Sequence, residues 1–449
     1  MNFKTDKQTL EDLNIFGKPG KESVFNIYNH THTRGGADIL EQMFLYPLAD
    51  AEAINNRSHT IQYFSKEKLV FPFKTDQLDS AEIYLSMTDQ RSMLSHDNNS
   101  LGQKFSQLLS ADGDYKVILN GIVAIIEVLQ ALDSFLMLNA SSIRETSYEI
   151  ERQNIEALLL DEHIYPLLTE KQPGKLSQAK IVDLDKILRF QQRHKIKQLL
   201  GHIYTMDVFI SIAQIAVKYN YIFPEALDKE LHAVKLTEFY HPLVKNAKAN
   251  TLHISPESNI VFLTGANMAG KSTLMKSLGI ALYLAHMGFP VAAAKMEFSV
   301  RDGLYTTINL PDDLSSGNSH FYAEVLRIKK IAKELGGNKN LFVIFDELFR
   351  GTNVKDAYEG TVELTEAFAG RRNCMFVVST HIIEAGDVLR ERCSNINFVY
   401  LPTKMDGNTP VYTYKLEPGI TADRHGMIII NNERILEVIR SRKNKKGGI

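Results

Sequence analysis

From Gly265 to Ser272 the chain reads Gly-Ala-Asn-Met-Ala-Gly-Lys-Ser, and no other stretch restricts its fold as much. The apolar run "NIVFLTG" leads in and the helical run "STLMKSLGIALYLAH" leads out. Glycines let the backbone curl until successive N–H groups point at phosphate oxygens. The helix that follows presents the positive end of its dipole at the same point. Lys271 supplies a charge for β and γ phosphates, and the Ser272 hydroxyl suits Mg²⁺. Gly265, Gly270, Lys271, Ser272 and Thr273 are therefore candidate nucleotide ligands, with ATP and Mg²⁺ the expected pair. A Gly-rich turn alone would carry little weight. Here a strand precedes it and a helix follows it, as the mechanism requires.

Two further apolar runs end in chemistry. "LFVIFDEL" delivers Asp346 and Glu347 at the end of a strand. A carboxylate there holds Mg²⁺ beside the loop, and the next one is placed to orient or deprotonate an attacking water. "CMFVVSTH" ends on His381, which would emerge at the carboxyl edge of the sheet, where ligands collect. A γ-phosphate-sensing role is expected of it. In "DDLSSGNSHFYAEVLRI" a polar loop precedes an amphipathic helix, and Ser319 stands at the N-cap position. Such a terminus is also an anion site, and turned outward it would complete a neighbouring subunit's nucleotide pocket. Spacing alone does not choose between capping and that role.

The texture changes along the chain. From about 20 to 235 apolar residues recur at three and four spacing and Gly and Pro are sparse, which predicts helices. "MDVFISIAQIAVKY" is apolar almost all round and predicts a buried helix. From about 236 onward β-rich runs alternate with helical segments. The barest of these runs predict strands buried on both faces of a largely parallel sheet. In the helical half, Lys186, Arg189, Arg193 and Lys197 would share one helix face. That stripe reads either as a solvated surface or as a phosphate-contacting one, and it is the candidate DNA surface.

A net charge of −2 gives no global positive field, so any DNA contact must come from a local patch. The two cysteines, Cys374 and Cys393, form no CxxC pair, which argues against a zinc site or disulfide framework and for a reduced, cytoplasmic setting. The N-terminus carries no apolar core segment and does not read as a signal peptide. Neither "VILNGIVAIIEVLQALDSFLML" nor "LGIALYLAHMGFPVAAA" reads as a membrane span, because polar residues interrupt the first and His, Gly and Pro the second. The basic tail "RSRKNKKGGI" is expected to be disordered.

Together these motifs resemble the MutS family of DNA mismatch-repair ATPases. "TGANMAGKSTLMKSLGIALYLAHMGFPVAA" is similar to that family's phosphate loop and following helix, "DDLSSGNSHFYAEV" to its subunit-crossing loop, "FDELFRGTNVKDAYEG" to its acidic strand, and "STH" to its histidine motif. "YHPLV" matches the opening of its ATPase domain, and "YKLEPGITADRHGM" its last strand and turn. Upstream, "NHTHTRGGADILEQMFLYPLAD" looks like the start of the helical lever, and "IYTMDVFISIAQIAVKYNYIFPE" like the helix returning from it.

The resemblance implies an α+α/β chain, a mostly helical lever or core domain followed by an ABC-type P-loop NTPase domain. An N-terminal extension would span 1–20, the lever 21–235 with its clamp absent or very short, the ATPase domain 236–437 and a basic tail 438–449. It implies a homodimer with composite ATP sites, in which Ser319 reaches the γ-phosphate bound by the partner. Lys271, Ser272, Asp346, Glu347 and His381 would act within one subunit, and Asn267 would also sit against the phosphates. Set beside full-length members, the chain is expected to lack the mismatch-reading and connector domains and a following endonuclease domain. Phe223-Pro224-Glu225 falls in the lever's return segment and reads as coincidence. Levers closing around DNA, branched or non-specific, are the leading expectation, with a repair protein as a further partner. The alternative is an ATP-gated protein scaffold with no DNA binding of its own. A transporter subunit is disfavoured, because "LSSGNSH" is not the transporter-type loop and a lever has no place there.

Overall fold

The computed structural model describes residues 3–18, 20–94, 112–144, 146–309, 320–349, 351–407, 409–421, 435 and 438–439. Ser319, the loop before it and most of the basic tail lie outside these. Two compact units divide the chain. One comprises residues 28–45 and 59–217, the other residues 1–27, 46–58 and 218–449. The first 27 residues group with the α/β unit, where the buried Thr9 and Asp12 find partners on Thr306.

In chain order the helices are α1 (Lys7–Asp12), α2 (Val24–Tyr28), α3 (Arg34–Leu45), α4 (Ala51–Glu67), α5 (Thr75–Ser86), α6 (Asp112–Ile143), α7 (Glu149–Leu159), α8 (Tyr165–Leu168), α9 (Gln178–Asp185) and α10 (Arg193–Tyr219). In the helical unit α5 lies along α6. Gly121 allows this, since a Cβ there would stand 2.1 Å from Tyr84. The stretch Met206–Ala213 of α10 is buried throughout, as its all-round apolarity predicts. Asp207, fully buried, accepts from Thr33 N (2.8 Å), Thr33 Oγ1 (2.7 Å) and His32 N (3.0 Å), and so fixes the start of α3. Helices α6 and α10 are long and apolar enough to cross a membrane by length and composition, and much of each apolar window is buried inside the protein.

Between α9 and α10 lies a π-helical turn, Lys186–Gln191. It overturns the basic stripe. A wider turn rotates the residues that α-helical spacing would align, and Arg189 faces inward, 1% exposed. Its guanidinium pairs with buried Asp185 at 2.6 Å and donates to Ser92 O and Ser92 Oγ, each at 2.9 Å. The Tyr84 hydroxyl donates to the other Asp185 oxygen at 3.0 Å. Arg193 is half-buried, with Nε donating to Leu85 O at 2.8 Å. Of the four, only Lys186 and Lys197 are exposed.

In the α/β unit a six-stranded sheet runs β12-β9-β4-β8-β7-β6. Its strands are β4 (Ile260–Gly265), β6 (Gly303–Thr307), β7 (Leu341–Asp346), β8 (Met375–Ser379), β9 (Ile396–Leu401) and β12 (Glu417–Pro418). All pair in parallel except β12, which runs antiparallel to β9. Every residue of β4 and β7 is buried, which is why both read as bare apolar runs. A second sheet, β1-β5-β2-β3, is mixed, built from Glu225–Leu227, Lys295–Ser299, Val234–Phe239 and Asn250–Ile254. A hairpin joins β10 (Thr403–Asp406) to β11 (Thr409–Tyr412). The remaining helices are α11 (Lys271–His286), α12 (His320–Leu335), α13 (Val354–Ala369) and α14 (Ile383–Arg392). Helix α11 touches strands of both sheets and is buried over most of its length. Phe345, Phe368 and Phe376 stack in series on the large sheet, with centroids 5.4 and 4.7 Å apart.

Strand β6 is an edge, yet its outward N–H groups are not bare. Leu304 N donates to Lys4 O at 3.0 Å, Thr306 N to Thr9 Oγ1 at 3.0 Å and, just past the strand, Ile308 N to Asp12 Oδ2 at 2.9 Å. The N-terminal segment thus takes the place of a neighbouring strand. Gly303 permits the approach, since a Cβ there would lie 2.6 Å from Lys4 O.

Candidate functional site

The loop between β4 and α11 bends where its glycines allow. Gly265 has φ 150° and Gly270 φ 99°, in the region that side chains disfavour. A Cβ on Gly270 would also come within 3.0 Å of the Tyr414 ring. Lys271 is 6% exposed, and its Nζ donates to Gly265 O (2.8 Å) and Ala266 O (3.2 Å). The ammonium is therefore folded onto the loop it serves. Asn267, Ser272 and Thr273 are exposed around the same loop.

Parallel pairing brings the ends of β4, β7 and β8 to one edge. Leu263 and Asp346 both pair with Ser379. As a result the Ser272 hydroxyl, which opens α11, donates to Asp346 Oδ2 at 2.5 Å. Glu347 leaves the strand with φ 58°, a left-handed backbone in which its N–H donates to Ser379 O at 2.9 Å. That conformation costs energy for a non-glycine residue and gathers at functional sites. It turns the carboxylate into contact with His381 Nε2. Lys271, Ser272, Asp346, Glu347 and His381 thus come together, while Ser319 lies outside the described residues. Lys186, Arg189, Arg193 and Lys197 belong to the other unit.

Two cavities flank this edge. One, of about 370 Å³, is bounded by Gly270 and Thr273 on the loop side and by His241, Val244 and Tyr414 opposite. Burial, aided by the Lys276 charge, pushes His241 down to about 4, so its imidazole is neutral near pH 7. The Asn250 side chain fixes the Tyr414 segment, donating to Tyr414 O at 2.9 Å and accepting from Leu416 N at 2.8 Å. The smaller cavity, about 130 Å³, is bounded by Asp346, Glu347, Asn309 and Glu324. Sequence reasoning missed Tyr414 and Asn309. Tyr414 sits in a run that reads as plain strand, and Asn309 has no motif around it.

Among the described residues no three His, Cys, Asp or Glu side chains gather into a metal cage. A hydroxyl and one carboxylate suit Mg²⁺ nevertheless, because that ion keeps several waters and completes its shell with phosphate oxygens. Residues 8–213 match the model of MutS domain III, and residues 261–446 match that of MutS domain V, the family's ATPase domain. The two matches fall in chain order, and the second contains the whole phosphate-loop constellation. This chain belongs to the MutS family of DNA mismatch-repair proteins.

Proposed function

We propose that the protein is an ABC-type P-loop ATPase that works as a homodimer and couples nucleotide state to the angle of its helical levers. The observation that carries this reading is the Ser272–Asp346 hydrogen bond beside the Lys271 loop and the Glu347–His381 pair. Lys271 and the α11 N-terminus bind the phosphates of ATP. Ser272 and Asp346 would hold Mg²⁺, which neutralises charge on phosphate oxygens when bound. Glu347 orients the attacking water and takes its proton, and His381 holds that carboxylate in place. The cavity at Tyr414 takes the nucleoside end, since it opens directly from Gly270 and Thr273. Asn267 lies against the phosphates, and Ser319 completes the partner's site. The setting is cytoplasmic.

The test is nucleotide binding followed by sedimentation velocity with a non-hydrolysable ATP analogue. The wild-type chain should pass from single copies to dimers as the analogue saturates, and Lys271→Ala should bind none. Single copies at saturation would overturn the dimer, and unchanged affinity in Lys271→Ala would overturn the loop's role.

Levers that close around DNA are the leading use of this motor, with affinity directed at the backbone and sensitive to salt. One observation favours the alternative of an ATP-gated protein scaffold, namely the burial of Arg189, which breaks up the basic stripe. Gel shifts with homoduplex, mismatched and four-way DNA across a salt series separate the two. Absence of binding to every DNA at low salt leaves the scaffold.

A further inference from the structure

We infer that helix α1 sets the geometry of the hydrolysis site from outside it, with Asp12 as the positioning residue. This deepens the ATPase reading above and rests on it. The smaller cavity beside Asp346 and Glu347 has two other walls, the exit of β6 at Thr307–Asn309 and helix α12 at Glu324 and Ile328. The first wall continues an edge strand, so among the described residues no further strand of the sheet holds it.

Asp12 holds it instead. The side chain is 2% exposed, and both of its oxygens are used. Oδ2 accepts from Thr306 Oγ1 at 2.7 Å and Ile308 N at 2.9 Å, and Oδ1 from Asn309 N at 3.0 Å and Gln8 Nε2 at 2.9 Å. The same Gln8 amide donates to Asn309 O at 2.8 Å. Both backbone polar groups of Asn309, a cavity residue, therefore end on α1.

The second wall is tied to the same helix. Asp6 caps α1 through Thr9 N at 3.1 Å and receives Lys330 Nζ at 2.7 Å together with the buried Arg327 guanidinium, both from α12. Arg327 Nη2 also donates to Thr306 O at 2.6 Å. Helix α1 and its N-cap thus fix the spacing between β6 and α12 across the cavity that faces the two carboxylates. Neither Asp6, Gln8 nor Asp12 bonds to the loop that holds Lys271. The predicted signature is therefore slower turnover with nucleotide binding intact.

Asp12→Asn keeps the side chain's size but replaces one oxygen by an NH₂ group that must face N–H or O–H donors. Steady-state ATPase on the full chain, with active sites counted by fluorescent-nucleotide titration, should show kcat falling roughly tenfold or more with KM and nucleotide affinity unchanged. Gln8→Ala removes only the amide contacts from a half-buried residue and should lower kcat by a smaller factor at an unchanged melting temperature. If α1 only covers the sheet edge, the melting temperature and the count of active sites fall while kcat per active site does not. Wild-type kcat per active site in both variants overturns the inference. A wild-type chain that binds ATP without hydrolysing it removes the ATPase reading and this inference with it.

Discussion

The Ser272 hydroxyl and the Asp346 carboxylate meet at 2.5 Å although strand β8 lies between the strands that lead to them. Parallel register brings this about, because Asp346, which ends β7, and Leu263, two residues before the end of β4, both pair with Ser379. The same pairing makes the ion dependence testable. Asp346→Asn should leave ATP binding without Mg²⁺ unchanged, raise the Mg²⁺ needed for half-maximal activity and cut turnover ~10²-fold. ATPase rate against free Mg²⁺ measures this. An unmoved half-saturation point would put the ion elsewhere.

Glu347→Gln should retain ATP affinity but lose ~10²–10⁴-fold in turnover, since the amide cannot take a proton from water. Its slow hydrolysis should hold the dimer together with ATP itself, with no need for an analogue. Phosphate release and sedimentation on the same sample check both halves. Normal turnover would mean that the base has been misassigned.

His286 gives a pH prediction. Burial pushes its imidazole down to about 3, where Nε2 accepts from Arg301 N at 3.0 Å. The unfolded chain takes up this proton first as pH falls, so the neutral histidine's contribution is complete above about 6.5 and shrinks below it. By pH 5 the loss is about 2 kcal/mol. His241 acts in the same direction. Burial alone would raise Asp6, but bonds from Arg327 and Lys330 outweigh it and hold it far below the usual range. Its contribution therefore fades only at more acidic pH, outside this window. Urea unfolding at pH 7 and pH 5 should show His286→Leu less stable than wild type at pH 7 yet less weakened by the drop. Equal losses in the two proteins would assign the acid sensitivity to other groups.

Arg189→Ala should cost the helical unit about 3–5 kcal/mol, because Asp185 would be left buried and charged without its partner. Lys197→Ala, at an exposed position, should change stability by less than about 0.5 kcal/mol. Denaturant melts of the two variants decide whether the former stripe is a surface or a core feature. Similar small effects from both would restore the surface reading.

What could be read from the sequence follows from what each feature depends on. Lys271, Ser272, Asp346 and His381 were legible because each stands at the end of an apolar run that has to be a buried strand or lead into a helix. Arg189 was not, because i, i+4 spacing places a residue on a face only while the helix stays α, and here a π turn intervenes. The place of the first residues was not legible for a different reason. Asp6, Thr9 and Asp12 look like ordinary polar surface in sequence, and only long-range partners such as Thr306 and Arg327 show that they are core. Tyr414 belongs to the same class, since its place against Gly270 is a tertiary contact with no local signature.

The row of bonds from Leu304, Thr306 and Ile308 to the first dozen residues has a practical consequence. A bare strand margin is a template for other chains, and here the cover is a short polypeptide stretch with no strand of its own. Trimming those residues, or displacing Lys4 with a bulky fusion, would leave alternate amides free to pair between molecules. The expected result is aggregation through the β6 side at concentrations where the intact chain stays in solution.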